Sequence, residues 1–366
     1  MIGPTINNCA RRTVESLRKW KISFILHREI NHILRLNRNK YSFRLDLDLE
    51  REIRRLWSGY NKKIHTKWHI FYISINGIKD HRYIPEDIFY NEIESKLNNM
   101  DLQAGYDDKN MYSRLFPRVK MPETLIRNIH GRYLDDVYNA LDKTNAIKRL
   151  NMSRGFYFIK PAIGTCGGTN VSKILLEDGK IYLDEHLVSF HELETRYKQD
   201  FIIQKAIQQS KKTGCVYPLS LNTIRIITLR LNNQIEYLSA YFRMGNNGAC
   251  IDNVCYQGIA CGINPDGRLT DTGTDRYYNT IENHPVTNMT FNKICLPLDN
   301  LEAFVKQLHE KLLHFDLISW DVALDEDNTP LLIEMNLKGQ GLNYHQIFNG
   351  PLFGPYTEEV LKRCFG

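Results

Sequence analysis

Near the C-terminus two short runs alternate apolar and polar residues, and a turn-rich stretch joins them. Ser319-Trp320-Asp321-Val322-Ala323-Leu324 leads through Asp325-Glu326-Asp327-Asn328-Thr329-Pro330 into Leu331-Leu332-Ile333-Glu334-Met335-Asn336. Alternation with period two around turn residues predicts a β-hairpin. Centred on Asp327-Asn328, it puts Trp320, Val322, Leu324, Leu331, Ile333 and Met335 on one apolar face. Asp321, Glu334 and Asn336 fall on the other, with Asp321 directly opposite Glu334. Opposed like charges destabilise a sheet. A divalent cation between them removes that penalty, and hard oxygen ligands suit magnesium. The other reading is the solvent-facing side of an edge hairpin, because so long a turn leaves the register open by one or two residues.

A chain of 366 residues exceeds what one core usually holds, so two or three lobes are expected. Hydrophobic residues make up 42% and charged residues 25%, as in soluble globular proteins. No apolar run reaches the length of a membrane span, and no secretory signal opens the chain, so a cytoplasmic location is expected. The eight cysteines form no Cys-x-x-Cys pair and read as reduced thiols. His65 and His69, with no acid or thiol close by in sequence, read as a surface pair rather than a zinc site. The net charge of +6 is uneven: residues 1–68 hold 16 Lys or Arg against 6 Asp or Glu. Such a basic first lobe suits an anionic partner, such as a phospholipid surface, a lipid-linked phosphate or nucleic acid. A solvated helical face is the simpler reading. No motif for sequence-specific nucleic-acid binding accompanies it.

Residues 11 to about 58 read as helical, with Val14, Leu17, Ile25, Ile30, Ile33 and Leu34 as one inward stripe and Leu49, Ile53, Leu56 and Trp57 as another. Residues 69–76 read as a short strand ending near Gly77. Pro85 opens a helix to about Leu97, with Ile88, Phe89 and Ile93 inward. Asp107-Asp108-Lys109-Asn110 starts a further short helix. From about residue 121 strands and turns dominate. Strands are expected at 156–161, 171–176 and 201–207, and a hairpin joins 222–231 to 237–244 through Asn232-Asn233. Residues 299–314 read as an amphipathic helix.

Three elements carry chemistry. In the first, Lys160-Pro161 ends a strand and a glycine-rich loop follows, with Gly164, Thr165, Gly167, Gly168 and Thr169. Glycines let backbone N–H groups approach phosphates, and the lysine supplies charge. The pattern is not a Walker loop, since no Gly-Lys-Ser/Thr follows. A phosphate flap and a plain glycine-rich turn both fit. In the second, Asn222-Thr223-Ile224-Arg225 puts an arginine on the apolar face shared with Ile227, Leu229 and Leu231. It needs an acid or a phosphate there, because an unpaired buried charge is costly. Arg243 on the partner strand poses the same question, and Asp252-Asn253 follows in a loop. Both a ligand clamp and a structural ion pair fit. In the third, Ile202-Ile203-Gln204-Lys205-Ala206-Ile207 is either a hinge along an adenine edge or a buried strand.

Taken in order, these stretches resemble the ATP-grasp superfamily, in its sugar-transfer-associated (hexapeptide-transferase-like) branch. The resemblance runs over roughly residues 80–350, through Ile84–Tyr90, Asp108-Lys109-Asn110, Lys160-Pro161, Asn222–Arg225, Arg243-Met244-Gly245, Asp252-Asn253, Trp320–Ala323 and Glu334-Met335-Asn336. It implies an α+β fold whose two lobes grip ATP between antiparallel sheets. The expected layout is a basic helical region at 1–80 and a linking region at 81–150. A small lobe at 151–210 and a large lobe at 211–366 follow. The resemblance also implies that Lys109 and Lys160 hold ATP phosphates under the flap at 164–170. Gln204, Lys205, Ala206 and Ile207 would line the adenine, although many relatives carry Glu where this chain has Gln204. Asp321, Glu334 and Asn336 map to the magnesium ligands, Asp321 being one carbon shorter than the Glu of many relatives.

The implied activity is an ATP-dependent ligase. A substrate carboxylate becomes an acyl phosphate, and an amine, either an amino acid or an amino sugar, displaces the phosphate. Lys160, Arg225 and Arg243 are the expected catalytic groups, and Asn222, Arg225, Arg243, Asp252 and Asn253 the expected substrate contacts. The branch places this chemistry in surface-polysaccharide biosynthesis, with one substrate sugar-linked. A phosphotransferase acting on a hydroxyl and a non-catalytic nucleotide-binding module are the alternatives. Specificity residues are expected within 246–290.

Overall fold

The computed structural model describes residues 4–36, 44–164 and 170–366. They divide into two compact units: Met1–Asn99 with Phe315–Leu317 and Lys338–Gly366, and Met100–His314 with Ile318–Leu337. The expected boundaries at 80 and 150 fall inside these units. Residues 338–366, expected with the large lobe, belong with the N-terminal helices. Gln346 shows the reason: its carboxamide donates to the Ile84 carbonyl (3.0 Å) and accepts from the Ile84 N–H (2.8 Å).

The first unit is helical. Helices Pro4–Leu36 and Leu47–Ser58 match expectation. The Asp46 carboxylate caps the second by accepting from the Leu49 N–H at 2.8 Å, and Leu49, Ile53 and Trp57 are buried. Along the first helix Ile30 is buried, but Val14, Leu17 and Ile25 face solvent, so the predicted inward stripe fails in its N-terminal half. Residues 69–76 are helical rather than extended, within Lys67–Asn76. A short run that is apolar on every side fits a buried helix as well as a buried strand. Here Trp68, Phe71, Tyr72 and Ile73 are all buried, and Gly77 closes the helix at φ 73°. His69 is no surface residue. It is fully enclosed, bonds the His81 carbonyl at 3.2 Å, and burial pushes its imidazole down to about 4. The helix after Pro85 runs through Glu86–Ile88, Phe89–Ile93 and Glu94–Leu97, with a π turn at its centre.

The second unit carries two sheets. The first contains β1 (Thr124–Ile129), β2 (Arg132–Leu134), β3 (Ala140–Leu141), β4 (Gly155–Pro161), β5 (Ser172–Glu177), β6 (Lys180–Leu183), β7 (His186–Val188) and β8 (Phe201–Lys205). Their order is β3-β2-β1-β8-β4-β5-β6-β7. Helices Lys143–Met152 and Phe190–Tyr197 supply Ala146, Leu150, Phe190 and Leu193 to a core with Ile126, Ile159, Ile174 and Ile203. Each large aliphatic or aromatic side chain buried there contributes roughly 1.5–3 kcal/mol.

The second sheet contains β9 (Thr223–Leu231), β10 (Gln234–Met244), β11 (Ile259–Ile263), β12 (Leu269–Thr274), β13 (Thr280–Ile281), β14 (Leu317–Leu324) and β15 (Pro330–Asn336). Their order is β13-β12-β11-β10-β9-β14-β15. The β9–β10 hairpin turns at Asn232 (φ 49°) and Asn233 (φ 61°), the left-handed pair that asparagine tolerates in tight hairpins. Helix Leu298–His309 buries Leu301, Val305 and Leu308 and packs on β9 and β10.

The β14–β15 hairpin has the predicted register at its open end: Asp321 opposes Glu334, Trp320 opposes Met335 and Ser319 opposes Asn336. A bulge after Asp321 then shifts the pairing, so that Val322 meets Leu332 and Leu324 meets Pro330. Leu331 and Ile333 therefore leave the Trp320 face on which alternation places them. Among the described residues no helix is long and apolar enough to cross a membrane. Cys215, Cys250, Cys261, Cys295 and Cys364 are free thiols.

Candidate functional site

Alternate residues of β4 (Phe156, Phe158, Lys160) and of β9 (Thr223, Arg225) point into a common cavity of about 690 Å³ in the second unit. It lies in the range of small-molecule sites. Strand pleating explains the selection, since every second side chain of a strand faces one side. The end of β8 and the residues after it, Gln204 to Ile207, form one wall. Arg243 on β10, the loop residues Asp252 and Asn253, and Asp321, Glu334 and Asn336 of the hairpin form the other. Lys109 enters from the 3-10 turn Lys109–Met111, whose N-cap Asp108 accepts from the Asn110 N–H at 2.9 Å.

Charge organises the interior. Arg225 donates Nε and Nη2 to the two Asp321 oxygens, each at 2.7 Å, in a bidentate fork. Arg243 reaches Asp321 Oδ2 at 3.2 Å and Asp252 Oδ1 at 3.4 Å, and it donates to Thr223 Oγ1 at 3.0 and 2.9 Å. Thr223 in turn donates its hydroxyl to Asp252 Oδ2. Burial alone raises the pKa of the Asp321 carboxyl, yet Arg225 and Arg243 hold it at about 2. Lys109 Nζ pairs with Glu334 Oε1 at 2.7 Å. The half-buried Asp107 carboxyl close to this pair is pushed up to about 6 by desolvation, against the pull of Lys109.

Lys160 has no described carboxylate within ion-pair reach. Burial, reinforced by the charge of Lys109, pushes its ammonium down to about 8. A desolvated lysine of this kind gains from any anion that enters.

The oxygen donors fit a magnesium ion. Two opposed carboxylates and a carboxamide line one wall, and their charge is compensated here by Lys109 and Arg225. Asn336 uses its amide nitrogen on the Ser319 carbonyl (3.3 Å), which leaves its oxygen as the available donor. Among the described residues no three His, Cys, Asp or Glu side chains form a group that could hold a metal ion, so the magnesium set consists of two carboxylates and the Asn336 carboxamide.

Some expected site residues stand elsewhere. Asn222 does not line the cavity. It is fully buried, donates to the Thr213 and Tyr217 carbonyls (2.9 Å each), and accepts from Ser220 Oγ at 3.1 Å. It therefore fixes the 213–220 loop rather than contacting a ligand. Gly164 turns at φ 70° outside the cavity lining. The flap residues Thr165, Gly167, Gly168 and Thr169 lie outside the described residues. Along the hinge, the Lys205 and Ala206 N–H groups already bond the Glu123 and Phe156 carbonyls (2.8 and 2.9 Å), so neither is free for a base edge.

Other lining residues carried no sequence signal of their own. Lys173 on β5 opposes Phe158 and sets its ammonium 4.0 Å over the Phe156 ring. The bulge turns Ile333 into the cavity. Of the 246–290 stretch, Cys250 to Asn253 reach the lining.

Residues 89–362 match the family described as sugar-transfer associated ATP-grasp. A comparison with curated proteins returns no match. Among solved structures the chain is similar to an L-amino acid ligase from Bacillus licheniformis, at 14% identity and TM-score 0.40, over 73% of this chain and 49% of that one. It is also similar to a D-alanine–D-alanine ligase from Bacillus anthracis (13%, TM-score 0.39, 73% and 68%). A third similar structure is the D-cycloserine synthetase DcsG (13%, TM-score 0.40, 72% and 73%). The chain spans about half the length of the L-amino acid ligase.

Proposed function

The chain belongs to the sugar-transfer associated ATP-grasp family, and from that premise we propose an ATP-dependent ligase that joins a carboxylate to an amine, one of them sugar-linked, in surface-polysaccharide biosynthesis. The observation that carries this reading is the cation arrangement of a single cavity. Arg225 and Arg243 converge on Asp321, Lys109 pairs with Glu334, and Lys160 lines the same cavity with no carboxylate of the described residues in ion-pair reach. Four cations exceed the needs of the carboxylates present and suit a polyphosphate beside an acid substrate.

In this reading Lys160 and Lys109 bind the phosphate chain, and Phe158, Ile207 and Ile333 offer apolar surface to the base. Magnesium, when bound through Asp321, Glu334 and Asn336, supplies charge neutralisation at the phosphates. Arg225 orients the transferred phosphoryl group while Arg243 holds the substrate carboxylate. The carboxylate oxygen forms a bond to the terminal phosphorus as the bond to ADP breaks. The amine then attacks the acyl carbon, phosphate leaves, and the amine proton passes to solvent. Positioning and charge supply the catalysis, with no protein nucleophile.

Hydroxylamine tests the reaction class. Added with magnesium-ATP to a panel of amino acids and uronic acids, it should trap the acyl phosphate as a hydroxamate in step with ADP release. ADP release with a phosphate ester and no hydroxamate would instead establish transfer to a hydroxyl.

The environment of Lys160 adds a pH prediction. A bound phosphate favours the charged ammonium, so binding above pH 8 must take up a proton. The Kd for magnesium-ADP should rise by up to about tenfold per pH unit above 8. With Lys160→Arg, which stays charged, the same titration should be flat over pH 8–9.5.

A further inference from the structure

We infer that the helix Pro4–Leu36 seats the chain on an anionic membrane surface through a face that the fold leaves uncovered. One face of this helix packs inside its own unit. Ile30 is 1% exposed, and Asn91 donates to Ser23 Oγ at 2.9 Å and to the Lys19 carbonyl at 3.2 Å. The opposite face carries Val14, Leu17, Lys21, Phe24, Arg28 and Arg35, spaced by three, four and seven residues, so they share one side. Val14 is 66% exposed, Leu17 61%, Trp20 65% and Phe24 53%, and the Trp20 and Phe24 rings stack at 5.4 Å. A helix needs only one apolar face to pack, and the fold gives no use for a second.

Charge decides what covers it. Lys21, Arg28 and Arg35 are exposed along the same side. Of the two acids in this helix, Glu15 is paired with Lys19 at 2.9 Å, which leaves Glu29. Beside Phe24 a groove lined by Arg28, Asn31, His32 and Arg35 offers several hydrogen-bond donors for phosphate. A second copy of the chain would bring like charges together, and nucleic acid would leave Val14, Leu17 and Phe24 in water. The boundary between lipid headgroups and acyl chains satisfies both chemistries at once.

Trp20 provides the test, because Trp57, Trp68 and Trp320 are 0–2% exposed and Trp20 is the tryptophan that lipid can reach. The full chain is titrated with vesicles of phosphatidylcholine alone and of phosphatidylcholine with phosphatidylglycerol. The expected result is a blue shift in tryptophan emission and co-sedimentation with the anionic vesicles alone. Trp20→Phe should lose the shift while still sedimenting. Leu17→Ser/Phe24→Ser should weaken partitioning at least about tenfold, and Arg28→Glu/Arg35→Glu should abolish it with the fold intact by circular dichroism. No sedimentation with either vesicle at low salt would overturn the inference. So would a lipid-free dimer that buries Trp20, or RNA competing the chain off the vesicles while producing the same shift.

Discussion

Glu334→Gln should lower magnesium-ATP turnover by about a thousandfold or more, the scale expected when a charge at the phosphoryl-transfer site is removed. Two effects combine in this substitution. The hairpin loses one of its two opposed carboxylates, and Lys109, 6% exposed, loses its partner at 2.7 Å. Breaking a fully buried pair costs roughly 3–5 kcal/mol; Glu334 is 23% exposed and Lys109 keeps Asp107 and Asp321 nearby, so this loss is smaller. The amide that replaces the carboxylate can still accept a hydrogen bond, so about half of that is expected as a lower urea midpoint with an unchanged slope. Lys109→Met/Glu334→Met separates the effects. Replacing both charges by apolar groups should recover most of the stability and none of the turnover. Recovery of turnover would show that the pair serves the fold alone.

Asp321→Ala should produce the largest loss of stability of any single substitution in the cavity. Asp321 is 2% exposed and takes three short contacts from two guanidinium groups. Its removal leaves Arg225 and Arg243 facing each other across a void, for which about 3–5 kcal/mol is expected. Acid should reproduce part of this. The folded-state pKa is held at about 2, below the ordinary 3.8. A carboxyl with a depressed pKa stabilises the fold above its unfolded value and loses that contribution as pH falls through the folded one. The wild type should therefore lose about 2 kcal/mol between pH 4 and pH 2 from this group. Asp321→Asn, already weakened, should show a correspondingly shallower acid slope over the same window.

The polar face of the β14–β15 hairpin was more legible in the sequence than the elements around it. Alternation alone places Asp321 and Glu334 on one polar face, because a strand has only two faces, while the register that opposes them stayed open by a residue or two until the pairing fixed it. The bulge beyond Asp321 left no such trace, since Leu331, Leu332 and Ile333 are interchangeable in hydrophobicity and only tertiary packing selects which faces inward. Arg225 on an apolar strand face announced a buried partner, but its identity as Asp321 needed three dimensions. Asn222 misled for the converse reason: a polar residue beside a charged one resembles a ligand contact, while its carboxamide closes a loop. Residues 69–76 defeated periodicity because Trp68, Phe71, Tyr72 and Ile73 put apolar side chains all round the helix and leave no distinct polar face to reveal its period. The π turn at Phe89–Ile93 and the assignment of residues 338–366 to the first unit likewise depend on long-range contacts such as that of Gln346 with Ile84.

Calorimetric titration of the full chain with ADP, in magnesium and then in excess EDTA, bears most directly on the cavity as a metal–nucleotide site. One ADP should bind per chain with magnesium present. Affinity should drop at least about a hundredfold, roughly 2.7 kcal/mol, both in EDTA and in the Glu334→Gln protein. Equal affinity under all three conditions, or no binding to a folded wild-type chain, would contradict the account.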